Sequence, residues 1–119
     1  MARSGNIPDD LQHLFPLTPA VFFILFALAE GEKHGYAIMQ QVAVLSDKKV
    51  RMGPGTLYTT IQRLLELSLI EETKTDADGR RRYYRLTRTG RLALKAELSR
   101  MEALVRRALD QKLLPEGGA

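Results

Sequence analysis

The stretch PGTLYTTIQRLLELSLIEETKTDADGRRRYYRLT, residues 54–87, decides the fold. Leu57, Ile61, Leu64 and Leu65 recur at steps of three and four, with Leu67 extending the row. That spacing predicts a helix over 54–67 with one apolar face. Pro54 after Gly53 opens it, because proline fits the first helical position, where its missing N–H has no partner to lose. The outer face then carries Thr56, Thr59, Thr60, Gln62, Arg63 and Glu66. Beyond it, Leu69–Thr75 and Arg81–Thr87 alternate in character around Asp76-Ala77-Asp78-Gly79, a strong turn signal, which predicts a β-hairpin. Tyr84 and Leu86 point one way and Tyr83 and Arg85 the other, so the hairpin packs on one side.

Two helices are expected upstream. Thr18-Pro19 starts the first, with threonine accepting from free first-turn amides. Its run VFFILFALA (21–29) is apolar all round, so it belongs in the middle of the domain and ends near Glu30-Gly31. The second spans about Gly35–Leu45, with Tyr36, Ile38, Met39, Val42 and Leu45 on its apolar face. SDKKVRMG (46–53) is a basic connector. Residues 1–17 read as an untidy arm with a short helical turn around Asp9–Leu14.

Downstream, Arg88–Lys112 has no proline and a single early glycine, Gly90. Leu94, Leu98, Met101, Val105 and Ala108 step by four and three, and Leu104 and Leu109 widen the stripe. About 25 residues at ~1.5 Å each give a rod of roughly 37 Å. Such a rod outruns a domain this small, and a second copy of the same helix is the simplest cover for its stripe. The expected layout is an arm (1–17), a winged helix-turn-helix domain (18–87), a C-terminal dimerisation helix (88–114) and a tail (115–119). The fold class is mainly α with a small β-hairpin.

The chain has 119 residues, enough for one core, with ordinary globular proportions of 45% hydrophobic and 27% charged residues. The net charge of +4 favours an anionic partner. Its distribution is sharper than its sum. Lys48, Lys49, Arg51 and Arg63 fall in one acid-free stretch, and Arg80, Arg81, Arg82, Arg85, Arg88 and Arg91 in another. Together they are ten of the 18 basic residues, clustered on the third helix and the hairpin.

Several classes are disfavoured. With no cysteine there is no disulfide, thiolate metal site or cysteine nucleophile. His13 and His34 are isolated, so no metal is expected, and His34 reads as a cap or contact at the start of the second helix. Gly53-Pro54-Gly55-Thr56 lacks the ending of a phosphate loop. No acid–base pair is visible, since Asp76 and Asp78 lie on a turn, so neither an enzyme nor a cofactor is expected. The apolar run Pro19–Ala29 falls short of the roughly 20 residues of a membrane span. Asp9, Asp10 and His13 precede it where a signal peptide would be basic, so no membrane role and a cytoplasmic location are expected.

The candidate DNA contacts follow from chemistry. Thr56, Thr59, Gln62 and Arg63 sit where base edges would be read: glutamine suits adenine, arginine suits guanine, and a threonine methyl meets a thymine methyl. Tyr58 offers a hydroxyl to a phosphate. Lys49 and Arg51 lie in the basic connector. Arg80, Arg81 and Arg82 at the hairpin tip can track a backbone or enter a minor groove. Bland readings stand beside these. Tyr36, Tyr84 and Leu57 read first as core or hinge residues. Arg63 either reaches DNA or pairs with Glu66.

HGYAI (34–38), GTLYTTIQRLLELSLI (55–70) and RRRYYRLTRTG (80–90) together resemble the PadR family of bacterial transcriptional regulators, in its short form with one C-terminal dimerisation helix. The resemblance covers roughly 17–112. It implies a homodimer, usually a repressor, on a near-palindromic double-stranded DNA operator, released in many members by a small-molecule effector near the dimer interface. It also carries Tyr36, a candidate DNA contact, onto the second helix, Thr56, Tyr58 and Thr59 onto the reading helix, and Arg80–Arg82 onto the wing. Many relatives have proline where this chain has Thr59, which changes the reading surface, and glycine where it has Ser68. The effector-stacking tryptophan of some members is absent. The alternative from another class is a winged-helix adaptor that docks protein and not DNA.

Overall fold

The helix α1, Pro19–Ala29, is the centre of the molecule in the computed structural model, which describes residues 7–116. Residues 1–6 of the expected arm and 117–119 of the expected tail lie outside the described residues. Thr18 caps α1 as expected, its Oγ1 accepting from the Val21 N–H at 3.3 Å. Ile24, Leu25, Ala27 and Leu28 are fully enclosed, while Val21, Phe23 and Phe26 stay partly exposed. The helix is therefore central but not covered on every side.

Helix α2 (Gly35–Leu45) packs on α1, and helix α3 (Pro54–Glu66) packs against α2. Ile38 and Val42 of α2 meet Leu57, Ile61 and Leu64 of α3 in one continuous core. The connector is held from within by Ser46, whose hydroxyl accepts from Val50 N–H at 2.9 Å. Strands β2 (Ile70–Thr75) and β3 (Arg82–Leu86) form the expected hairpin, with Tyr84 and Leu86 buried. Burial pushes the Tyr84 phenol above its ordinary range.

Sequence reasoning missed a third strand. Strand β1, Lys33–His34, pairs antiparallel with β3, giving the order β1-β3-β2. Two residues are too few to show a period. Tyr83 makes a T-shaped contact with His34, ring centroids 5.3 Å apart, and carries the Lys74 ammonium 4.7 Å from its centroid. A register shift between Glu72 and Lys74 bulges β2 at Thr73 and bends the outer wing.

Helix α4, Arg88–Asp110, is capped by Thr87 Oγ1, which accepts from Gly90 N–H at 3.0 Å. A side chain at Gly90 would collide with the Leu69 carbonyl, so glycine lets α4 start hard against the chain where it enters β2. The 23 residues of α4 measure about 35 Å. Ala93, Leu94 and Glu97 are buried, Leu98 and Met101 are half-covered, and Leu104 and Val105 stand in solvent at 54% and 46% exposure. Leu94, expected in a dimer seam, instead belongs to its own domain's core. The open stripe begins where the domain ends, near Leu98.

The described part of the arm, residues 7–17, carries the expected helical turn and adds to the core. Asp9–Leu14 forms a 3-10 turn, and Leu11 and Leu17 are buried in the core. Among the described residues no helix is long and apolar enough to cross a membrane.

Candidate nucleic-acid interface

The exposed side of α3 is small and polar because every apolar residue at helical spacing has been drawn inward. Thr56, Tyr58, Thr59, Gln62 and Arg63 are all exposed, in the positions expected of reading residues. Thr60 is different: its hydroxyl donates to the Thr56 carbonyl at 2.8 Å and is spent within the helix. Arg63 makes no ion pair with Glu66.

The start of α2, the flank of α3 and the root of the wing tip converge on one recess. His34, Gly35, Tyr36, Tyr58, Arg80, Arg81 and Arg82 line it, and it encloses about 170 Å³. His34 caps α2 through Nδ1, which accepts from Ala37 N–H at 3.3 Å, as the sequence suggested. A side chain on Gly35 would run into the Tyr58 hydroxyl, so glycine seats the Tyr58 ring against the start of α2. Tyr36 is 61% exposed and is not a core residue. It stands in the first turn of α2 with its side chain facing solvent, so the core-or-hinge reading is corrected.

The wing tip is shaped by its own acids. Gly79 N–H donates to the Asp76 carbonyl at 2.8 Å, and Asp78 Oδ1 accepts from Arg80 N–H at 3.0 Å. Gly79 has φ of 75°, where glycine is favoured. The fold also brings acids to two arginines that look unopposed in sequence. Arg80 Nε lies 3.6 Å from Asp78, and Arg85 Nε lies 2.6 Å from Glu71. Both pairs are exposed; such pairs contribute about 0–1 kcal/mol, so a competing anion displaces them readily. Among the described residues Arg81, Arg82, Arg63, Lys48, Lys49 and Arg51 form no ion pair.

Five expected contacts thus meet in the recess (Tyr36, Tyr58 and the three wing arginines), and Thr56, Thr59, Gln62 and Arg63 continue along α3. Lys49 and Arg51 stand apart, on the connector before α3. His34 and Gly35 were missed as lining residues; the steric need for glycine beside Tyr58 is invisible in one dimension. The arrangement offers hydroxyls and cations to phosphates beside a helix of short polar side chains, with no cluster of three metal-ligating residues among the described residues.

Three helices, a three-stranded wing and a cationic face define a winged helix-turn-helix protein. The chain belongs to the PadR family of transcriptional regulators: the model of the Transcriptional regulator PadR-like family matches residues 24–96. It is similar to Transcriptional regulator Rv3488 of Mycobacterium tuberculosis, 40% identical over 87 residues covering 72% of this chain and 78% of that one. A transcriptional regulator from Clostridium thermocellum aligns with a TM-score of 0.63 at 25% identity, over 87% of this chain and 97% of that one. Bacillus subtilis PadR in complex with operator DNA aligns with a TM-score of 0.59 at 22% identity, over 70% of this chain and 47% of that one.

Proposed function

We propose that the chain is a homodimeric, sequence-specific DNA-binding regulator that represses by occupying its operator. The observation that carries this reading is the convergence of Tyr36, Tyr58, Arg80, Arg81 and Arg82 in one recess beside the exposed face of α3. In this reading α3 enters a major groove, with Thr56, Thr59, Gln62 and Arg63 on base edges. The recess and wing hold the flanking phosphates, and Lys49 and Arg51 add charge at the groove's edge. The likeness to a PadR protein bound to operator DNA is consistent with this docking.

The overhang of α4 supports pairing. Met101, Leu104, Val105, Ala108 and Leu109 continue an apolar stripe past the domain, together with Leu98 at its root. A second copy buries that stripe and holds two half-sites about one turn, roughly 34–36 Å, apart. A small-molecule effector acts here by favouring a dimer whose reading helices no longer match that spacing.

The test is selection of bound duplexes from a random library with the purified full chain. A two-fold symmetric sequence is expected. A protein that retains no duplex at low salt overturns the reading and leaves the adaptor role.

A further inference from the structure

Glu97 is the one charged side chain buried among the described residues, at 1% exposure. Its carboxylate is fully engaged. Oε2 accepts from the Leu17 N–H at 2.7 Å, and Oε1 accepts from Arg100 Nε–H at 2.8 Å. Leu17 immediately precedes Thr18, the cap of α1, so the bond joins the entrance of the central helix to the middle of α4, across 80 positions of sequence. The place on α4 is equally specific. Leu94 on one side is enclosed, Leu98 and Met101 on the other are half-covered, and everything beyond overhangs.

A carboxylate is a costly choice there. Leu94, Glu97 and Met101 share one face, so a leucine at 97 would simply continue the apolar row. A buried pair replaced whole by apolar residues often costs no stability, whereas removing Glu97 alone orphans the Leu17 N–H; what a hydrogen-bonded charge adds beyond stability is direction. Apolar contacts tolerate rolling and sliding of a helix; a short bond to a fixed main-chain N–H does not.

We propose that Glu97 is a positioning residue: by gripping the main chain at the entrance of α1, it fixes the angle between the DNA-reading unit and the overhanging half of α4. The proposal rests on the reading of the chain as a paired DNA binder, because that angle matters when two reading helices must match one duplex.

The absence of cysteine makes the angle measurable. Nitroxide labels at Glu66→Cys on α3 and Ala103→Cys on the overhang, both exposed positions, report it by pulsed dipolar spectroscopy. Labelled chain is diluted in unlabelled chain, so only distances within one protomer are read. The parent gives a narrow distribution. Glu97→Leu, which orphans the Leu17 N–H and so melts earlier, broadens or shifts it at a temperature where circular dichroism shows the chain still folded, and Glu97→Gln, which keeps an acceptor for Leu17, leaves it narrow. Glu97→Met repeats the test where the branched leucine is not accommodated. A Glu97→Leu distribution that overlays the parent's overturns the proposal.

Binding supplies the second readout, using duplexes selected by the parent protein. Glu97→Leu is expected to lose about tenfold on the best-spaced palindrome, the scale of a lost charged hydrogen bond. It should discriminate less against spacers altered by one base pair and bind a single half-site unchanged. An equal loss on half-site and palindrome overturns the positioning role. A parent that retains no duplex refutes the DNA reading, while the spin distances still decide the grip of Glu97.

Discussion

Gly35 and Tyr58 are locked by exclusion: the tyrosine hydroxyl occupies the space a β-carbon at residue 35 would need. Gly35→Ala must push the ring away from the start of α2. Its helical backbone accepts alanine, which by itself favours the helix. The variant should fold and pair normally yet bind selected duplex roughly tenfold more weakly, as expected for one displaced phosphate contact of this kind. Fluorescence anisotropy measures this, and unchanged affinity would show that the Tyr58 position does not matter to DNA.

Arg81 and Arg82 are the cleanest probes of the wing, because Arg80 already has Asp78 beside it. Arg81→Ala with Arg82→Ala should weaken binding to all duplexes alike. The slope of log affinity against log salt should fall by about 1.8, close to 0.9 for each phosphate contact removed. A salt titration giving the parent slope would remove the wing from the interface.

Charges at Leu98 and Met101 would also injure the protomer's own core, which both residues touch. Leu104→Glu with Val105→Glu avoids that, since both side chains are exposed. The expected product is a folded monomer by sedimentation equilibrium, with its melting temperature little changed. A dimer of undiminished strength would refute the α4 seam.

Ser68 holds φ of 59° at the end of α3, where its N–H donates to Leu65 and the Leu69 N–H to Leu64. That is a left-handed cap occupied by a residue that pays for a β-carbon there. Ser68→Gly should stabilise by about 1 kcal/mol at most, after the extra freedom of glycine in the unfolded chain is counted. For a domain of this size the melting temperature should rise by about 4 °C, with DNA affinity unaltered. A lower melting temperature would mean the Ser68 side chain supports the turn.

The Glu97 carboxyl lies below its ordinary value of 4.5, chiefly through the Arg100 hydrogen bond, with Leu17 N–H assisting and burial opposing. A depressed folded-state pKa means the unfolded chain takes up the proton first. The contribution is complete well above 4.5 and is lost as pH falls through the folded value. Thermal melts of the parent and Glu97→Gln should therefore converge as the solution is acidified below that range. Parallel curves would exclude the linkage.

Most of the scaffold was legible because its signals are periodic or local. The α3 stripe, the Asp76–Gly79 turn and the Thr18 cap each announce themselves within a few residues. What escaped needed a third dimension. Strand β1 exists only because Tyr83 and Tyr84 lie opposite it. Asp78 and Glu71 reach their arginines through a turn and across a strand pair. Glu97 looks like a polar interruption of the α4 row until Leu17 arrives from the far end of the chain. Leu94 obeys the same heptad-like spacing as Val105, and spacing alone cannot say which is covered by its own domain.

The bare outer turns of α4 have a consequence for dosage. Under the proposed pairing, in which two copies meet through that stripe before either holds its target well, occupancy at low abundance grows with the square of the amount of protein made. A modest fall in synthesis would then empty the promoter disproportionately, giving a control circuit a threshold without any further component.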